Sequence, residues 1–212
     1  PKLFRSCSKF CLISAFFALT VLGPAGRIVG DGISIGLQTL YAHGGILAGL
    51  IFGGVYSAIV VTGVHHSFHA IEAGLLANPS IGVNFLLPIW AMANVAQGGA
   101  ALAVFFRSND VKVKQIALPA SLSCLLGITE AALFGINLRF VRPFVAAAVG
   151  GAVGGAFVVA TKVGMTAVGV TGIPGIAIVQ PATIPSYLIG MVVAFGTAFA
   201  GSWLFGLKPE ER

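Results

Sequence analysis

Glu130 is a lone carboxylate in an uncharged stretch. It follows Gly127-Ile128-Thr129 and lies between two short apolar arms, Ile116–Leu126 and Ala131–Leu138. A carboxylate in apolar surroundings persists where it faces a cavity, pairs with a base or meets a ligand. Gly127 removes bulk beside it and Thr129 adds a hydroxyl. Two chemistries suit it: accepting hydrogen bonds from substrate hydroxyls, or a structural ion pair with Arg139 or Arg142 that holds its segment in place.

A second cluster is Gly63-Val64-His65-His66, with His69 and Glu72. On a helix His65 and His69 share a face, as do His69 and Glu72. Imidazole and carboxylate at that spacing can ligate Zn²⁺, but no HExxH motif and no nearby cysteine accompany them. Imidazoles that donate and accept hydrogen bonds to a polar solute are the favoured reading, a solvated loop the bland one, and no metal is assigned. Asn84, Asn94 and Gln97 add amides, which both donate and accept, as sugar recognition requires. Trp90 and Phe85 are candidates for stacking on a sugar ring, or for plain core packing.

What positions these residues follows from composition. The 212 residues include 12 Lys+Arg, 6 Asp+Glu, 57% hydrophobic and only 8% charged residues. Soluble domains carry about 25% charge. Mean hydropathy is +0.99, and the uncharged runs reach the roughly 20 residues that a bilayer-crossing helix needs. A soluble enzyme, a disordered chain and a disulfide scaffold are excluded. The net charge of +6 is dispersed, so nucleic acid is not an expected partner. Cys7, Cys11 and Cys124 form no CxxC pair.

The fold class is an all-α polytopic membrane protein with about five transmembrane helices, two re-entrant hairpins and an amphipathic interfacial helix. The expected spans are Lys9–Arg27, Gly44–Val64, Phe85–Phe106, Pro143–Val163 and Ser186–Gly206. Asp31–Tyr41 is the interfacial helix. The hairpins fall near 65–84 and 115–138, with a charged loop over Arg107–Lys114 and a Gly/Thr/Pro-rich loop over Gly164–Pro185. Gly45, Gly49 and Gly53, and the Gly150–Gly155 run, allow close helix approach. Pro1 without an initiator Met reads as the truncated start of a longer protein.

If each hairpin returns to its own side and the C-terminus is cytoplasmic, eight basic residues lie inside: Arg27, Arg107, Lys112, Lys114, Arg139, Arg142, Lys208 and Arg212. Four lie outside: Lys2, Arg5, Lys9 and Lys162. The positive-inside rule favours this orientation over its inverse.

Gly127-Ile128-Thr129-Glu130, Phe134-Gly135-Ile136-Asn137-Leu138 and Arg142-Pro143-Phe144 resemble the GITE hairpin of the glucose-superfamily IIC membrane domains of the bacterial phosphoenolpyruvate:sugar phosphotransferase system (PTS). Thr62-Gly63-Val64-His65-His66 resembles that family's His-containing hairpin. His65–Glu72, Asn84–Trp90 and Asn94–Gly98 look most like its sucrose-specific members. Ala131 departs from the Pro that many relatives carry after the Glu.

The resemblance implies that residues 1–212 are the C-terminal part of an EIIC type-1 transmembrane domain in the bacterial inner membrane, working as a homodimer. It implies disaccharide import, sucrose first, coupled to phosphorylation by a phosphocysteine IIB domain that is itself charged by a IIA protein. No cofactor is implied, and none of the three cysteines matches the phosphorylated one. Glu130, His66, Thr129, Asn94 and Gln97 become the expected sugar-binding residues, with Glu130 and His66 orienting the attacking hydroxyl. Arg139 and Arg142 become candidates for meeting the phosphoryl group. Rival readings are an ion-coupled carrier, a trehalose or β-glucoside permease, and a metal carrier.

Overall fold

The computed structural model describes residues 43–79 and 81–207, with isolated positions between 14 and 41. The expected span Lys9–Arg27, most of the Asp31–Tyr41 helix, Cys7, Cys11, and the basic residues Lys2, Arg5, Lys9, Arg27, Lys208 and Arg212 lie outside the described residues.

The described chain is helical, with no strand beyond two isolated bridges, Asn84–Met165 and Met165–Val179. Helix α1 spans Ile46–Thr62 and α2 Phe68–Ala77, joined by a 3₁₀ turn at Val64–Ser67. Helix α3 runs over Leu86–Arg107 and α4 over Val111–Leu125. Two short helical pieces, α5 (Glu130–Ala132) and α6 (Leu138–Phe140), flank a π turn at Leu133–Asn137. Helix α7 covers Arg142–Ala160 and α8 Ile184–Phe205. Among the described residues three segments are long and apolar enough to cross a membrane: Leu86–Arg107, Arg142–Ala160 and Pro181–Phe205. The pair Ile46–Thr62 and Val64–Ala77 qualifies jointly but is bent by 110°.

Helix α3 is the axis of the molecule, buried without a break from Leu86 to Ala101. Asn84 starts it: its Oδ1 accepts from the Leu86 and Leu87 amides at 3.1 and 3.0 Å. Around α3 stand α1, α7, α8 and α4. Glycine makes the α1–α7 seam possible. A Cβ on Gly53 would overlap the Gly151 carbonyl, and one on Gly49 the Gly155 carbonyl. The four-residue spacing is what keeps both contacts on one face.

These contacts also set direction. Gly49 and Ile89 both meet Gly155, while Gly53 and Ala93 both meet Gly151. Helices α1 and α3 therefore run parallel, and both are antiparallel to α7. The orientation count above has residues 65–84 returning to the side on which α1 ends; the structure corrects this. The chain turns at Gly63, which has φ +76°, and residues 64–84 carry it back to the end where α1 began. The physical reason is the left-handed backbone at Gly63, which stops α1 and redirects the chain.

The second hairpin has its base at the other end. Arg107 donates to the Trp203 carbonyl and Arg142 to the Phe205 carbonyl at 3.4 Å, so α3, α7 and the C-terminus of α8 meet there. Asp110 caps α4, accepting from the Lys112 amide at 2.8 Å. Lys112 and Lys114 thus lie in the first turn of α4, and the connection is shorter than the expected Arg107–Lys114 loop. From this base α4 climbs to a turn at Gly127, and residues 130–140 return. The Ser121 hydroxyl donates to the Gly98 carbonyl at 2.8 Å, placing that turn near the middle of α3.

The stretch after α7 does not stay at the surface. The Ile173 amide donates to the Leu125 carbonyl at 2.7 Å, and the Tyr187 phenol donates to the Gly172 carbonyl at 2.9 Å. Residues 169–173 are therefore folded against the tip of the second hairpin.

Candidate functional site

The two tips approach each other across a cleft of about 190 Å³. The first tip contributes His65, His66 and His69, with Glu72 from α2. The second contributes Gly127, Thr129 and Glu130. Tyr56 and Val60 of α1, Leu87, Trp90 and Asn94 of α3, and residues 169–171 complete the walls. The tight approach explains Gly127: with φ +90°, it sits where a Cβ would press on the Thr171 backbone.

Exposure falls from mouth to floor. His66, His69 and Glu130 are exposed. Thr129 and Asn94 are buried, and Glu72 is wholly so. The Glu130 carboxylate forms no hydrogen bond or ion pair among the described residues, and the His69–Glu72 contact is the single carboxylate–base pair found there. The alternative pairing of Glu130 with Arg139 or Arg142 is absent. Those arginines sit at the hairpin base, Arg139 over the Phe140 ring at 5.4 Å and Arg142 on the Phe205 carbonyl. An opening carboxylate without a protein partner is an acceptor for whatever enters.

At the first tip, the His65 and His66 rings pack at a tilt of 39° with centroids 3.9 Å apart, and His66 lies 6.0 Å from His69. The 3₁₀ turn places His65 and His66 side by side, not on the regular helical face expected from the spacing. His66 has no hydrogen-bond partner among the described residues. Among those residues, no three His, Cys, Asp or Glu side chains come together in a metal-holding group.

The amides separate. Asn94 faces the cleft and donates to the Thr171 hydroxyl at 2.8 Å. Gln97 is one turn deeper and does not line it. Its Nε2 donates to Ser57 at 2.6 Å, and its Oε1 accepts from Asn137 at 2.6 Å. The aromatics are mostly committed to packing. Trp90 stacks on Tyr56 at 4.4 Å with Phe68 edge-on at 5.5 Å, and Phe85 stacks on Tyr41 at 4.0 Å. Trp90 nevertheless lines the cleft. Tyr56 and residues 169–171 join the cleft without having stood out in the sequence. No local pattern marks them, because their place depends on the turn of the distant hairpin.

Residues 3–151 match the model of the family described as "Phosphotransferase system, EIIC". The chain is 66% identical over 201 residues to the PTS system sucrose-specific EIIBC component of Salmonella typhimurium, covering 95% of this chain and 44% of that protein. It is 55% identical to the PTS system sucrose-specific EIIBC component of Bacillus subtilis (strain 168), again covering 95% and 44%. The PTS system trehalose-specific EIIBC component of the same organism is 37% identical, with 92% and 41% covered. The chain thus spans under half the length of these curated relatives. No solved structure matches. The breadth of the family match, over more than half of the sequence and across both hairpins, establishes that this chain belongs to the phosphotransferase system EIIC family.

Proposed function

We propose that this chain is the sugar-handling part of a longer sucrose permease of the phosphotransferase system, and that the cleft is its sugar site. The observation that carries this reading is that Glu130 and His66, neither side chain paired among the described residues, line one cleft between two hairpin tips. The sucrose-specific names of relatives at 55–68% identity support sucrose as the substrate.

In this reading Glu130 accepts a sugar hydroxyl's hydrogen bond, and Thr129 and Asn94 add neutral contacts. His66 donates or accepts from the facing tip. Gln97 acts one step away, by holding the elements that carry the tips. Phosphoryl transfer depends chiefly on positioning and charge stabilisation. Glu130 and His66 are suited to orient the attacking hydroxyl and to take its proton as the bond to phosphorus forms. The phosphoryl group comes from a phosphocysteine on a IIB domain, recharged by a IIA protein, and a second copy of the chain completes a homodimer. Arg139 and Arg142, at the hairpin base, lie where an approaching phosphoryl donor would meet positive charge.

The reading places the protein in the bacterial inner membrane, with the two tips as re-entrant segments near its midplane. Five basic residues, Arg107, Lys112, Lys114, Arg139 and Arg142, belong to the end where α8 finishes. Lys162, after α7, belongs to the opposite end. The positive-inside rule makes the first end, and with it the C-terminus, cytoplasmic.

The test is uptake by cells carrying the full-length protein. Sucrose should accumulate as a phosphate ester, survive a proton uncoupler and stop when the phosphotransfer proteins are deleted. Accumulation of free sucrose that collapses with the uncoupler would identify an ion-coupled carrier instead.

A further inference from the structure

The floor of the cleft holds polar groups that the expected sugar contacts leave unused. Glu72 is 0% exposed and Trp90 is 2% exposed, yet both line the cleft. One carboxylate oxygen, Glu72 Oε2, meets His69 Nδ1 at 3.2 Å. The other, Oε1, makes no full hydrogen bond among the described residues. The Trp90 indole N–H and the Asn84 side-chain amide act on this carboxylate as weak donors, in a geometry short of a full hydrogen bond. A buried acceptor and a buried donor, side by side and only weakly engaged with each other, are costly in a folded protein. They are balanced by a guest that donates to one and accepts from the other. A sugar hydroxyl does both.

We propose that Glu72 Oε1 and Trp90 Nε1 form a hydroxyl subsite at the floor of the cleft. Glu72 accepts the hydrogen bond of a sugar hydroxyl, and the indole N–H donates to that hydroxyl's oxygen. The subsite is distinct from Glu130, which stands at the exposed mouth, and it reads the sugar ring that enters deepest. Discrimination is strong in such a place, because a ligand lacking the hydroxyl leaves buried partners unpaired. His69 orients the carboxylate through Oε2, and stacking on Tyr56 fixes the indole, so both atoms are held before the ligand arrives. The inference rests on the reading of the cleft as a sugar site.

The test pairs ligand hydroxyls with protein side chains. Binding of sucrose and of a panel of monodeoxy-sucrose analogues is measured on the full-length protein, its Glu72→Gln variant and its Trp90→Phe variant. Trp90→Phe keeps a ring for stacking while removing the N–H. In the unaltered protein one analogue should bind about 10- to 150-fold more weakly than sucrose, the range for a hydrogen bond to a charged group. For that analogue the loss should shrink to a few-fold in Glu72→Gln and be reduced in Trp90→Phe. Glu130→Gln should leave that loss intact and blunt another hydroxyl's. Equal losses across the panel in unaltered and Glu72→Gln proteins would overturn the subsite and leave the pair holding a water. Should Glu72→Gln fail to fold, an undiminished loss in Trp90→Phe overturns it alone. No sucrose binding by the unaltered protein would defeat the functional reading itself.

Discussion

Asn137 donates to Gln97 through its side-chain amide, to the side-chain oxygen at 2.6 Å and to the backbone carbonyl at 3.0 Å. With Gln97 donating to Ser57 at 2.6 Å, the chain of amides links α1, α3 and the π turn of the second hairpin inside the bundle. Side-chain hydrogen bonds of this kind hold two tips in register where apolar packing alone would permit sliding. We expect Gln97→Leu in the full-length protein to destabilise it by about 1–3 kcal/mol, the cost of leaving a buried partner unsatisfied. Thermal unfolding in detergent should show a lowered midpoint. The order of preference among sugars should be unchanged, since Gln97 does not touch the cleft.

Glu130→Gln keeps the shape of the side chain and removes its charge. Sugar affinity should fall by about 10- to 150-fold, corresponding to roughly 1.5–3 kcal/mol for a charge-assisted hydrogen bond. Because Glu130 has no ion-pair partner among the described residues, the variant should reach the membrane in normal amounts and unfold at the normal temperature. Equilibrium binding and quantitative membrane blots check both halves.

His66→Ala should weaken sugar binding, and chelators should leave the unaltered protein's binding unchanged. His69→Ala should have a smaller direct effect, since its ring partners Glu72 and sits farther from His66 than His65 does. Loss of binding on chelation, with recovery on adding Zn²⁺, would make the cluster a metal site.

Topology is open to cysteine labelling on a background lacking the native cysteines. Asn109 and Lys162 are both exposed, whereas Ser108 is 1% exposed and a poor reporter. Asn109→Cys should react with an impermeant thiol reagent only after permeabilisation. Lys162→Cys should react in intact cells. The reverse pattern would invert the orientation.

Gly53→Ala should push α1 off α7, because the added methyl meets the Gly151 backbone, which has no rotamer to yield. Overpacking of this sort costs about 1–3 kcal/mol, visible as lower yield and a lower unfolding midpoint. Gly196→Ala is the control, since nothing lies within 4 Å of its new Cβ, and it should be tolerated.

Sequence alone determined the class, the apolar segments and the sharpest chemical groups. Scarcity of charge demands a non-aqueous surround, and a carboxylate in an apolar run needs a reason, so Glu130 and the His65–His66 pair stood out unaided. The Gly127-Ile128-Thr129-Glu130 motif fell on the turn after α4, whereas the first turn came at Gly63, ahead of the polar 65–84 segment. Tertiary structure decided what depends on direction and partner. Hydropathy reports how apolar a helix is, not which way it runs, so the parallel course of α1 and α3 is read from Gly155 meeting Gly49 and Ile89 while Gly151 meets Gly53 and Ala93. Amide chemistry is the same in Asn94 and Gln97, and only the bundle turned one toward the cleft and the other toward Ser57 and Asn137. The folding of residues 169–173 onto the hairpin tip, and the meeting of Glu72 with Trp90, join positions far apart in the chain. Such pairings have no local signature, because long-range packing is selected by shape and burial over the whole bundle.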